Sequence, residues 1–109
     1  MANTFKLKTK ANVGVTTVGI YTAPAATTTV VIGITMANTS GSGVNVGVGI
    51  TRAGATEDVK LLKNAPVPQG SSLEFMAGNK IVLETTDTIT VDSDTNNSVD
   101  AALTLMELT

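Results

Sequence analysis

The sequence predicts an all-β protein: an antiparallel β-sandwich of about eight strands. Three observations carry this. Apolar residues recur at every second position along most of the chain, the mark of strands with one buried face. Clusters of turn formers interrupt them at intervals of roughly 8–12 residues. No segment shows an apolar stripe at helical spacing, and alanine-rich Ala23–Ala26 is too short and too close to Pro24 to form one. Jelly-roll-like and immunoglobulin-like sandwiches both remain open, and so does a barrel, because all share this one-dimensional signal.

The elements follow in order. Phe5 and Leu7 alternate with Lys6, Lys8 and Lys10. Val13 and Val15, then Val18 and Ile20, continue the pattern with a slip at Thr16-Thr17 that a β-bulge would produce. Pro24 closes this strand, since proline cannot donate to a ladder. Val30, Ile32, Ile34 and Met36 then share one face, and Val31, Gly33 and Thr35 the other. After Ser40-Gly41-Ser42-Gly43 the pattern restarts. Val44, Val46, Val48 and Ile50 point one way, and Asn45, Gly47, Gly49 and Thr51 the other. This pair predicts an antiparallel hairpin.

Asp58–Lys63 predicts a short strand. Residues 64–70 predict a connection, held extended by Pro66 and Pro68. Ser72–Met76 is the next strand, followed by a turn at Ala77-Gly78-Asn79. Lys80–Glu84 places Ile81 and Leu83 on one face, and Thr88–Asp92 places Ile89 and Val91 inward. After the turn formers Asp94-Thr95-Asn96-Asn97, Ser98–Leu108 alternates Val99, Ala101, Leu103 and Leu105 with Asp100, Ala102, Thr104 and Met106.

At 109 residues the chain predicts a single domain, 1–109, with residues 1–12 a candidate extended docking arm. Only 3% of residues are aromatic, so the core falls to aliphatic side chains. The net charge of −2 offers no basic excess for neutralising phosphates, which argues against nucleic acid as partner. No apolar run approaches the roughly 20 residues that cross a bilayer, and the N-terminus lacks the apolar core of a secretory signal. The expectation is a protein made in a cytoplasm, with no membrane partner.

With no histidine and no cysteine, the usual general base, thiol nucleophile and thiolate metal ligand are missing. No serine sits in a G-x-S-x-G elbow. The expectation is a non-enzyme without cofactor. Asp92-Ser93-Asp94-Thr95-Asn96 copies the start of a calcium-binding D-x-D-x-N loop, but Asn97 and Leu103 stand where that loop needs glycine and an acid. A looser oxygen-ligand site from Asp92, Asp94 and Asp100 is the remaining metal candidate, against a plain polar loop.

Interface candidates are of two kinds. Lys6, Lys8 and Lys10 form a one-sided basic row, either docking to an acidic partner or discouraging edge-to-edge aggregation. Gly33, Gly47 and Gly49 lie opposite the apolar stripes, where glycine marks either close approach by another backbone or local twist. Abundant threonine on a low-charge β surface suits packing against identical copies.

Several stretches form a recognisable succession: Ile20-Tyr21-Thr22-Ala23-Pro24-Ala25, then residues 28–40, TTVVIGITMANTS. Thr51-Arg52-Ala53-Gly54 and residues 65–73, APVPQGSSL, follow. Lys80–Glu84, Asp87–Val91 and the terminal LMEL complete it. From about residue 18 onward this resembles a small β-domain of tailed-bacteriophage structural proteins. The resemblance implies a virion component of the capsid decoration, cement, head-fibre or tail-associated type, with no catalytic residues to carry over. It implies a homo-oligomer, trimer or dimer, located in the virion and bound to the major capsid protein or to tail proteins. The absence of a stalk favours the capsid exterior, with a small tail subunit as alternative. A receptor- or carbohydrate-binding module is the other reading, and Tyr21 is its only aromatic platform.

Overall fold

The computed structural model describes residues 3–52, 58–75 and 80–109. Nine strands make up these residues: β1 (Asn3–Val13), β2 (Val18–Thr22), β3 (Thr28–Asn38), β4 (Val44–Thr51), β5 (Asp58–Val67), β6 (Ser72–Phe75), β7 (Ile81–Leu83), β8 (Thr88–Ser93) and β9 (Val99–Leu108). The pairings are nested and antiparallel. β1 pairs with β9, β2 with β8, and β4 with β5. β6 and β7 lie end to end against β3, β6 on Ile34–Ala37 and β7 on Thr29–Val31, so together they act as one interrupted strand. A ribbon paired first-to-last and folded over on itself gives two sheets, β1-β9-β3-β6/β7 and β2-β8-β4-β5. This is the jelly-roll order. It decides against the immunoglobulin-like alternative, and the two separate sheets do not close into a barrel.

The core fills the space between the sheets. Val31, Ile34, Met36, Leu103 and Leu105 come from one, and Val46, Val48, Ile89 and Val91 from the other, all buried. The inward residues expected for β4, β7, β8 and β9 are those observed.

Four expectations require correction. β3 and β4 do not form a hairpin: they belong to different sheets. Two strands facing one core from opposite sides show the same alternation as two strands side by side, so the pattern alone does not separate these cases. The corner between them is built by Asn38, whose amide nitrogen donates to the carbonyls of Ser42 at 2.8 Å and Val67 at 2.9 Å. Its oxygen accepts from the Ser40 amide at 2.9 Å and the Ser40 hydroxyl at 2.7 Å.

The slip near Thr16-Thr17 is likewise a crossing between sheets, with residues 14–17 joining β1 to β2. In β3 the register shifts between Val31 and Gly33. Thr29 and Val31 point inward before the shift, and Ile34, Met36 and Asn38 after it. Val30 and Ile32 therefore turn to the outer face.

Finally, β5 continues through the predicted connection to Val67. Its register slips against Val46 and Val48, with Asn64 at φ 55°, and Pro66 is accommodated because β5 is an edge strand. The predicted turn Ala77-Gly78-Asn79, Met76 before it, and Ala53 and Gly54 lie outside the described residues.

Candidate functional site

The chemistry-bearing side chains are dispersed by the fold. Asp92 opposes Gly47 in the register, on the outer face of the β2-β8-β4-β5 sheet. It accepts from the Thr17 hydroxyl at 3.0 Å and lies 3.6 Å from the Lys60 ammonium. Asp94 accepts from the Asn45 amide at 3.1 Å. Asp100 lies on the outer face of the opposite sheet, across from Ala37, and accepts from the Asn12 amide at 3.0 Å. The structure does not bring the three carboxylates together. Among the described residues no cluster of three or more acidic, histidine or cysteine side chains is placed to hold a metal. Nor does any buried side-chain nitrogen or oxygen among them lack a hydrogen-bond partner.

The glycines occupy two different settings. A Cβ built at Gly47 would stand 2.5 Å from Asp92 Oδ1 and 3.2 Å from the Leu62 carbonyl. One at Gly49 would stand 3.0 Å from the Val59 carbonyl and 3.1 Å from the Thr90 hydroxyl, with the Lys60 stem at 3.5 Å. The space above both is taken by the chain's own side chains. Gly33 is different. It lies on the outer face of the other sheet, where a Cβ would only come within 3.8 Å of the Phe75 carbonyl. A shallow groove lined by Ile32, Gly33, Thr35, Glu74, Ala102 and Thr104 runs past it.

The register also fixes the lysine row. Lys6, Lys8 and Lys10 oppose Leu105, Leu103 and Ala101, so they share the core-facing side of the sheet, along the flank where β1 is its edge. Lys6 reaches Glu107 at 3.0 Å. Glu107, buried, also accepts from the Tyr21 hydroxyl at 2.6 Å, and that hydroxyl lies 2.7 Å from the hydroxyl of Thr29. The Tyr21 hydrogen bond, then Lys6, hold the Glu107 carboxyl below its usual range. Burial, and next the bond to Glu107, push Tyr21 up to about 12. With its ring only 7% exposed, Tyr21 is no platform for a sugar.

Turning the lysines inward turns Phe5 and Leu7 outward. Phe5 opposes Met106, Met106 opposes Val30, and Val30 opposes Val82. These four residues form one row across β1, β9, β3 and β7. Leu108, Leu7 and Ile32 flank it on the same outer face. Phe5 is 69% exposed, Leu7 65% and Val82 57%. The sequence reading missed this belt because its members come from four strands far apart in the chain, and because the slip in β3 reverses Val30 and Ile32. The available signal was Met106 and Leu108, apolar at positions alternating with an inward stripe.

Comparison with known proteins locates the fold. No family model matches the sequence, and no curated protein is similar to it in sequence. Solved structures are similar in shape. A subunit of the Bacillus endospore appendages, described as a novel family of disulfide-linked pili, superposes with a TM-score of 0.56 at 16% identity, over 99% of this chain and 87% of that one. A protein of the IBDV viral particle superposes with 0.59 at 14% identity, over 96% of this chain, which spans only 30% of that one. The acidic stable capsid of Helicobacter pylori bacteriophage KHP30 gives 0.58 at 9% identity, over 98% and 87%. The likeness is one of fold. Its bearers are structural subunits of viral particles and of a surface appendage. No helix among the described residues is long and apolar enough to cross a membrane.

Proposed function

We propose that the chain is a non-enzymatic structural component of a bacteriophage virion, a capsid decoration or cement protein that self-associates and binds the capsid surface in many copies. The observation that carries this is the belt of Phe5, Met106, Val30 and Val82 on the outside of a jelly roll whose buried polar side chains, among the described residues, all find hydrogen-bond partners. Apolar surface of this kind marks protein contact. The capsid neighbours support a particle as the setting, and the sequence resemblance supports a tailed phage.

The filament neighbour favours a second reading, a small tail or appendage subunit. The link described for that appendage is disulfide, and this chain contains no cysteine, so a filament of it would be held by non-covalent contact alone. The Lys6, Lys8 and Lys10 row, on the β1 flank, is the proposed site for an acidic patch of the capsid.

Co-sedimentation of the purified protein with assembled phage capsids, and separately with tails, tests this. Saturable binding to capsids at a lattice-like ratio is the expected result. Binding to tails alone would move the protein to the tail. Binding to neither refutes the virion assignment.

A further inference from the structure

We propose that the outer face of the β1-β9-β3-β7 sheet is where a second copy of this chain seats. The inference deepens the self-association part of the reading above and rests on it. Two features single this face out. It holds the transverse row Phe5–Met106–Val30–Val82 with Leu7, Ile32 and Leu108 beside it, and three of these side chains are more than half exposed. Its charges, Asp100 and Glu74, stand toward the other end, opposite Ala37 and Thr35. The outer face of the other sheet is different. There Lys60, Asp92, Thr17 and Thr90 already cover Gly47 and Gly49.

Size and charge name the occupant. With β6 continuing the line of β7, four strands at about 4.8 Å spacing and ten residues at about 3.3 Å rise give the whole face, its acidic end included, an area of roughly 600 Å². A standard interface takes about 800 Å² from each partner, and about 500 Å² is the lower bound for a specific one. The belt carries no charge that would recruit a partner of opposite sign. Two copies related by an axis along the strands set their uncharged belts together, while Asp100 and Glu74 of both fall at the same far end of the contact.

The row is also suited to a two-fold contact. An axis along the strands, between β9 and β3, sets the large Phe5 of one copy over the small Val82 of the other, and Met106 over Val30. Each copy then offers the same patch, as an isologous interface requires. The sheets would stack face to face at about 10 Å.

Equilibrium sedimentation of the full chain at micromolar concentration tests this, with Leu7→Lys and Val82→Lys as separate variants. Lys63→Glu, exposed on β5 of the other sheet, is the comparison. The expected result is a homo-oligomer for the wild type and for Lys63→Glu. Leu7→Lys and Val82→Lys should each weaken association by roughly tenfold or more, with monomers still folded by circular dichroism. Both sites are exposed and sit on different strands, so a folding failure at one leaves the other informative. A homo-oligomer unaffected by either lysine overturns the surface and spares the self-association reading. A monomeric wild type overturns both. A wild-type monomer that binds capsids, and loses that binding in both variants, replaces the second copy with the shell as occupant and overturns this proposal.

Discussion

Replacing Gly47 with alanine tests whether the glycines of β4 exist to seat the chain's own side chains. The new Cβ would lie 2.5 Å from Asp92 Oδ1, and an ordinary contact needs about 3.4 Å, so the carboxylate must retreat by roughly 0.9 Å. That retreat stretches its 3.0 Å bond to Thr17 and its 3.6 Å approach to Lys60. A net hydrogen bond is worth about 1 kcal/mol and an exposed ion pair a few tenths. Crowding against the Leu62 carbonyl at 3.2 Å adds about 1 kcal/mol. Against this, removing a glycine from a strand returns about 0.5–1 kcal/mol. The expected net loss is about 1–2 kcal/mol. At about 2.1 cal/mol/K per residue of unfolding entropy, 109 residues convert this to a Tm drop of about 4–9 °C. The assay is a double-mutant cycle by urea denaturation and thermal melts, using Gly47→Ala, Asp92→Ala and the pair. In the Asp92→Ala background the alanine should cost about 0.5 kcal/mol or less, since only the Leu62 contact remains. An equal cost in both backgrounds, or a stabilising Gly47→Ala, would refute the assignment of Asp92 to this space.

Three further outcomes follow from the packing. Leu103, fully buried at the centre of β9, should cost about 2–5 kcal/mol as Leu103→Ala, read as a lower urea midpoint at constant slope. Asn38→Ala removes the donors of the Ser42 and Val67 carbonyls at the corner between the sheets, and should cost about 2 kcal/mol by thermal melting. The Tyr21–Glu107 bond should appear at both ends of the pH scale. Glu107, with its folded pKa depressed, stabilises the fold above its unfolded pKa and loses that contribution as pH falls through the folded value. Tyr21, raised from 10.0 to about 12, contributes fully below pH 10 and loses it as pH climbs toward 12. Tyr21→Phe should flatten both limbs of Tm against pH. Since Tyr21 is the single tyrosine, absorbance titration reads it directly, and a midpoint near 10 would count against the buried bond.

Most of the strand content was legible because most strands, β3, β4, β8 and β9 above all, keep one face on the core. Ile89, Val91, Leu103 and Leu105 sit where period-two reading places them, and fold class follows from such runs. Pairing was not legible. The alternation of Val30–Met36 and Val44–Ile50 is blind to whether the strands touch by hydrogen bonds or across a core, and Asn38, which settles it, reads in sequence as an ordinary turn residue. The outer belt was hidden for a related reason. Phe5 meets Met106 only once register is known, and a shift of one residue between Val31 and Gly33 decides which way Val30 points. The scattered carboxylates show the reverse error. Asp92 and Asp100 are near in sequence but lie on opposite outer faces of the sandwich.

The nested order of pairing has a consequence for biosynthesis. β9 lies between β1 and β3, so the sheet that begins the chain is completed by the strand that comes last. At about 5–20 residues per second, β1 leaves the ribosome roughly 5–20 s before its partner exists. During that wait it is an unpaired strand on a crowded polysome, the circumstance in which strands from neighbouring chains join wrongly. The like charges of Lys6, Lys8 and Lys10 would make such a union repulsive until β9 arrives, Leu105 and Leu103 pair beside Lys6 and Lys8, and Glu107 takes up the charge of Lys6.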